Sequence, residues 1–231
     1  DFCLSHGLGD VYKRQHLRPS LMTIAADYGM PGFAMRSAGL LKRDGHPVDL
    51  KALYPFPSWQ LPNEVEIDAA FVYAMVRQES QFYSRAMSGR GARGLRQLMP
   101  RTAASIAKSK RFRRGRGRDA LFDPKTNLIL GRKYLLHLMQ AGNVSRNLFK
   151  VLAAYNAGPG NLRKWQRKLE FKNDPLLFIE SIPSRETRHF IKKVMLGLWI
   201  YRFRLNELAP TLSDVAGGSW PKYMPASKKK L

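Results

Sequence analysis

Along most of this chain the apolar residues recur three and four positions apart, the spacing of a helix with one buried face. Leu21, Ile24, Ala25 and Tyr28 form the first such series, and Gly29-Met30-Pro31 interrupts it. Phe33, Ala34, Ala38 and Leu41 restart the pattern, so residues 16–43 read as two short helices. Val72, Met75, Val76 and Glu79 share one face of a helix expected over 64–83. Leu95, Leu98 and Met99 suggest a second short helix, continuing from Pro100 to residue 108. Asp123-Pro124 opens the next one, with Asp as N-cap and Pro at the first helical position. Its stripe is Leu128, Leu130, Tyr134, Leu135, Leu138 and Met139. Residues 147–157 follow, with Leu148, Val151, Leu152 and Tyr155 on one face, and Gly158 is placed for a left-handed C-cap. Shorter pieces are expected at 161–168, around Trp165, and at 175–181. A long helix over 186–205 carries Phe190, Val194, Leu198, Tyr201 and Leu205. Period-two alternation is weak throughout, so the expected fold class is mainly α.

The breaks in the pattern divide the chain. Residues 54–62, YPFPSWQLP, hold three prolines and three aromatics and read as an extended linker. A domain boundary is placed at residue 55, giving a helical hairpin over 16–54 and a main domain over 55–209. Residues 1–15 lack an initiating Met and any sustained periodicity, and resemble a translated sequencing-adapter remnant. They are read as non-native, and the chain as the C-terminal part of a longer protein. Residues 108–118, KSKRFRRGRGR, are expected to form a flexible surface loop, either touching an anionic polymer or standing as a solvated insertion. Residues 210–231 read as a loose basic tail.

Composition changes this picture mainly through charge. An apolar content of 44% over 231 residues supports an ordinary core. The formal net charge of +23 points to an anionic partner. No nucleic-acid motif is present, and Phe112 is the only aromatic in the basic run, so nucleic acid is not the expected partner. Cys3 is the only cysteine, which excludes an intrachain disulfide or a Cys-type zinc cluster. The histidines at 6, 16, 46, 137 and 189 form no HExxH pair, so neither a metal nor a cofactor is expected. No apolar run approaches a membrane span, and no signal peptide is seen.

Candidate chemistry concentrates around Glu79. An acid on the apolar stripe of a helix is unusual. Desolvation favours its neutral form, which suits a general acid near neutral pH; the alternative is an ordinary solvent-facing glutamate. Ser88-Gly89-Arg90-Gly91-Ala92-Arg93-Gly94 is too glycine-rich to stay helical, and it brings Gln97 and Thr102 near the acid. Ser88 is placed either to hydrogen-bond Glu79 or to shape the glycine turn. A glycosidase ordinarily uses two carboxylates, and here only Glu79 has such a setting. Asp119, Asp123, Asp174 and Glu180 fall in loops, caps or short helices.

The residues Glu79-Ser80, Ser88, Gly91-Ala92, Gly94-Leu95, Gln97, Met99-Pro100 and Thr102-Ala103 resemble the active-site motif of soluble lytic transglycosylases, whose domains are goose-lysozyme-like. The likeness continues in Ala154-Tyr155-Asn156-Ala157-Gly158-Pro159-Gly160, in Glu180-Ser181-Ile182-Pro183 and in Glu186-Thr187-Arg188. Three positions depart from the family: Arg96 stands where Met is usual, Ser184 where an aromatic is common, and Phe190 where Tyr is common. Because a buried unpaired arginine is costly, Arg96 is expected to reach solvent, an acid or a substrate carboxylate beside the sugar groove.

The resemblance implies a lysozyme-like catalytic domain preceded by the remnant of a helical superhelix. It implies cleavage of peptidoglycan glycan strands between N-acetylmuramic acid and N-acetylglucosamine, leaving 1,6-anhydro-muramic ends. Glu79 would serve as acid and then base, with no cofactor and with the substrate's N-acetyl group standing in for the second carboxylate. Tyr155 would stabilise developing charge, or else be a core tyrosine on its helix face. Ser88, Gln97, Met99, Thr102, Asn156 and Glu180 would bind substrate; Met99 is equally a core filler, and Glu180 equally a partner for Arg185 or Arg188. The same resemblance implies a monomer in the periplasm, with peripheral contact to the cell wall or outer membrane. Two other functions compete: a hydrolytic lysozyme-like muramidase, and a catalytically idle basic module that binds cell wall or nucleic acid.

Overall fold

The computed structural model describes residues 17–62 and 67–226. The expectations for residues 1–15, for the first residues of the helix begun at 64 and for the terminal SKKKL lie outside these. Among the described residues there is no strand, only three isolated β-bridges. The described residues form two compact units: those up to Gln60 with Gln81–Tyr83, and those from Leu61 to Ser80 with those from Ser84 onward.

The first unit holds α1 (Arg18–Asp27), α2 (Pro31–Arg43) and the single turn α3 (Leu50–Leu53). Its core is Met22, Ala38, Leu41 and Ala52. The seam of α1 differs from the expected stripe: Ile24 and Tyr28 are 52% and 76% exposed, while Met22 and Ala25 are buried. Ala25, Ala34 and Ala38 are all buried, so alanines fill the inside of this hairpin beside Met22 and Leu41.

The second unit is organised around α4 (Ala69–Ser80), which is buried on nearly every side through Ala70, Phe71, Val72, Ala74, Met75 and Val76. A helix apolar on nearly every side over its first eight residues belongs in the middle of a domain. Asp68 caps its start, accepting the Phe71 N–H at 2.8 Å, and pairs with Arg202 at 3.2 Å, both side chains buried. Around α4 lie α5 (Pro100–Ile106), α6 (Arg116–Asp119), α7 (Pro124–Gln140), α8 (Leu148–Ala157), α9 (Pro159–Lys168), α10 (Pro175–Ser181), α11 (Arg185–Arg204) and α12 (Pro210–Ala216). Asp123 caps α7 through the Thr126 N–H at 2.7 Å, as the Asp-Pro signal anticipates.

Several local expectations are corrected. The helix bearing Glu79 stops at Ser80, because Gln81 and Phe82 take positive φ values of 50° and 64°. Residues 94–97 are a turn, with Arg93 bridged to both Met87 and Leu98, and helix begins only at Pro100. Gly94 and Gln97 have φ values of 76° and 45°, which no helix accommodates. Gly158 has φ 88° and ψ 149°, outside the left-handed helical region, and it both ends α8 and starts α9.

The basic run is folded rather than loose. Lys110–Arg113 form a 3-10 turn, and Phe112 is buried against Leu98, Ala104, Leu121 and Leu130. Charge density suggested an unanchored loop, yet a single aromatic is enough to dock it. Residues 210–226 are likewise folded. They contain α12, pack Trp220 on Phe149, Phe171 and Phe178, and bury Tyr223, whose hydroxyl accepts the Asp68 N–H at 3.1 Å.

Candidate active site

Glu79 lies in the last turn of α4 and is partly buried. No hydrogen bond or ion pair among the described residues engages its carboxyl. Burial pushes its pKa up to about 8; the Arg96 guanidinium pulls it down, and the Glu186 carboxylate pushes it up. The acid is therefore protonated at neutral pH.

The turn over residues 93–98 is fixed from three sides. Ser80 Oγ, next to the acid, donates to the Leu95 carbonyl at 2.9 Å. Asn127 on α7 is fully buried; its Nδ2 donates to the carbonyls of Arg93 (2.9 Å) and Leu121 (2.7 Å), and its Oδ1 accepts the Arg96 N–H at 2.8 Å. Tyr155 Oη on α8 donates to the Arg96 carbonyl at 2.8 Å. Gly94 is obligatory in this arrangement. A Cβ there would lie 2.1 Å from the Leu121 carbonyl oxygen and 2.4 Å from Asn127 Nδ2, besides the positive φ.

With both of its backbone groups held, Arg96 points its side chain inward. It is fully buried, and none of its three guanidinium nitrogens has a hydrogen-bond partner among the described residues. Its Cζ stands 5.6 Å from the centre of the Tyr155 ring. The expectation that Arg96 reaches solvent is thus corrected: the backbone bonds decide its direction, and an aromatic face and the nearby acid take the place of water. Gly131 on α7 leaves the room, since a Cβ there would meet Arg96 Cγ at 3.0 Å and Nε at 3.3 Å.

Tyr155 packs between Tyr134, at 5.2 Å, and Phe190, stacked at 6.3 Å. Burial raises its phenol pKa, Arg96 lowers it and Glu79 raises it, so the hydroxyl stays protonated. Its proton is directed to the Arg96 carbonyl. Gln97 Nε2 donates to the carbonyls of Ala86 (3.0 Å) and Gly94 (2.9 Å), which leaves Oε1 as its available acceptor. Ser88 Oγ accepts the Ala92 N–H at 3.0 Å and so shapes the glycine turn. Met99 is 40% exposed at the start of α5, and Thr102 is partly buried on that helix. Asn156 Oδ1 accepts from Thr187 Oγ1 at 2.7 Å, and its Nδ2 is 3.5 Å from Glu186 Oε1, tying α8 to α11. Glu180 is exposed and pairs with Lys192 at 2.5 Å, not with Arg185 or Arg188.

The structure therefore joins Glu79, Arg96, Gln97 and Tyr155 through one pinned turn, with Met99 and Thr102 just beyond it. Glu180 shares no bond with that group. Sequence reasoning missed Asn127, Gly131 and Glu186. Asn127, Gly131 and Leu135 lie four apart on one buried face of α7, and a polar and a small residue on an apolar stripe are the available signal. Glu186 belongs to a quoted motif, yet its reach toward Glu79 crosses from α11 to α4 and is a tertiary fact.

An all-α domain with a desolvated glutamate closing its central helix is the class that this fold and site define. Residues 60–178 match the family model of the transglycosylase SLT domain, and the chain belongs to that family. It is 36% identical over 149 residues to the soluble lytic murein transglycosylase of Salmonella typhimurium, covering 64% of this chain and 23% of that protein. The protein of that name from Escherichia coli K12 is 37% identical over 147 residues, covering 64% of this chain and 22% of its own length. Among solved structures, the 70 kDa soluble lytic transglycosylase SLT70 of Escherichia coli superposes with a TM-score of 0.74 at 28% identity, over 91% of this chain and 33% of that one. The chain thus spans between about a fifth and a third of the length of these relatives. The mainly α, lysozyme-like fold class expected from the sequence is the one observed.

Proposed function

We propose that this chain carries the catalytic domain of a peptidoglycan lytic transglycosylase. The observation that carries the reading is Glu79, a carboxyl pushed up to about 8 at the end of a buried helix, beside a turn pinned at Leu95 and Arg96. Glu79 protonates the oxygen between N-acetylmuramic acid and N-acetylglucosamine, and the C1–O bond breaks as the sugar's N-acetyl oxygen supports C1. The Glu79 carboxylate then takes the proton of the C6 hydroxyl, whose oxygen bonds to C1. The muramic end is a 1,6-anhydro sugar, and no water is added. An internal nucleophile of this kind has a high effective molarity. Among the relatives, the lytic transglycosylase Slt of Pseudomonas aeruginosa has a glutamate-to-glutamine variant described as inactive, which supports an essential glutamate in this family.

In this reading Gln97 Oε1, Met99 and Thr102 contact sugar, Ser88 and Asn156 shape the groove through their neighbours, and Glu180 meets substrate outside the pinned turn. Tyr155 holds the Arg96 carbonyl and turns its ring to the buried charge. The surroundings are those of a cell-wall enzyme: a monomer in the periplasm, held peripherally to the wall by its positive charge. Among the described residues no helix is long and apolar enough to cross a membrane.

Glu186 favours a second reading. A carboxylate that influences Glu79 could activate water, as in a two-carboxylate glycosidase, and the chain would then be a muramidase. Mass spectrometry of peptidoglycan digested by the purified chain separates the two. Anhydro ends support the transglycosylase, and hydrated ends support the hydrolase.

A further inference from the structure

We propose that Arg96 is a positioning residue: it holds a permanent positive charge, sealed from solvent, that stabilises the Glu79 carboxylate as its proton leaves. The inference rests on Glu79 acting as the acid.

Stability alone does not account for this residue. A buried guanidinium with all three nitrogens unpaired is among the most unfavourable groups a core can hold. Such an exception calls for a role outside packing. The surroundings are nonetheless built for it. Asn127 and Tyr155 hold its N–H and carbonyl, each at 2.8 Å, which fixes the direction in which its side chain leaves the turn. Gly131 provides space along Cγ and Nε that any larger residue would fill.

The charge acts on one step. While Glu79 is neutral, the guanidinium of Arg96 has no hydrogen-bond partner among the described residues and faces the Tyr155 ring, 5.6 Å away. Once Glu79 has given its proton to the glycosidic oxygen, the carboxylate supplies the missing counter-charge. The interaction is therefore absent in the ground state and present as charge develops, the condition for lowering a barrier. The same charge makes Glu79 a weaker base for the second step. The charged groups acting on Glu79 are Arg96 from the turn and Glu186 from α11; Glu79 and Tyr134 on α7 act in turn on Tyr155 of α8.

The test is the pH profile of kcat/KM, read beside thermal melting, for Arg96→Met, Arg96→Gln, Arg96→Lys and Glu186→Gln. Both neutral Arg96 variants should move the alkaline limb up by on the order of one pH unit. Arg96→Lys, which keeps the charge, should stay near the wild-type limb, and Glu186→Gln should move it down. Arg96→Met should also melt higher than wild type, because a buried unpaired charge is gone. A 13C NMR titration of the Glu79 carboxyl reads the same shift without turnover, so it stands even if the proposed activity fails. An unmoved Glu79 titration in folded Arg96→Met and Arg96→Gln would overturn the proposal, as would lower melting of Arg96→Met with an unchanged limb. Should Arg96→Met not fold, the titrations of Arg96→Gln and Arg96→Lys decide by the same criterion.

Discussion

The hydroxyl of Tyr155 donates a 2.8 Å hydrogen bond to the carbonyl of Arg96, joining α8 to the turn that follows the acid helix. Tyr155 is thus structural and beside the proposed acid at once. Tyr155→Phe keeps the ring over the guanidinium but leaves that carbonyl unsatisfied. Loss of a buried partner costs about 1–3 kcal/mol. Urea denaturation should show a loss in that range, and kcat should fall while KM changes little. A Tyr155→Phe variant as stable as wild type would remove the bond from the account of the site.

The acid itself sets a pH dependence of stability. Its ordinary value is near 4.5 and its folded value about 8, so between those pH values the folded state binds more protons than the unfolded one. Stability contributed by neutral Glu79 is full at low pH and is lost as pH rises toward 8. Glu79→Gln should therefore melt close to wild type at pH 4 and several degrees above it at pH 9. Wild-type activity should fall above pH 8 as the acid form disappears. A Glu79→Gln melting difference that is the same at both pH values would mean that the carboxyl is not desolvated.

Much of this was legible beforehand. The period of the apolar residues located the helices, and Asp123-Pro124 marked the start of α7. The glycine run led to a turn whose tightness is explained by Gly94 against Leu121 and Asn127. What stayed hidden depends on contacts far apart in sequence. The inward path of Arg96 follows from bonds to Asn127 and Tyr155, and no local propensity contains them. Phe112 looked like one aromatic in a charged loop because its pocket is supplied by Leu98, Leu121 and Leu130. Trp220 and Tyr223 were lost in a tail read by composition, whereas their partners lie in α4, α8 and α10 and in the segment before α10.

Phe112 should carry the folding of the basic segment. Phe112→Ala removes a large buried ring, which typically costs about 3–5 kcal/mol. The expected result is that loss in denaturation, with hydrogen exchange rising first in residues 108–118. Retained stability and protection would show that the segment is held by other contacts.

The same segment presents charge. Arg101, Arg113 and Arg114 line a concavity of about 360 Å³, and the sequence holds no acid between Glu79 and Asp119. Asp119 is paired with Arg93 at 2.5 Å. Replacing Arg101, Arg113 and Arg114 by Gln should weaken sedimentation with purified sacculi at low salt and flatten the salt dependence. Unchanged binding at every salt concentration would reduce the segment to a solvated surface.

The central claim is that a single glutamate closes the sugar on itself. It is tested most directly by the mass of the new muramic termini after digestion of intact peptidoglycan with wild type and with Glu79→Gln. Wild type should release termini one water lighter than a hydrolysed end and inert to borohydride. Glu79→Gln should bind the glycan and release such ends at least about 10²–10⁴ times more slowly, since one group serves both steps. Termini that are all hydrated and reducible, or a Glu79→Gln variant that cleaves near the wild-type rate, would contradict it.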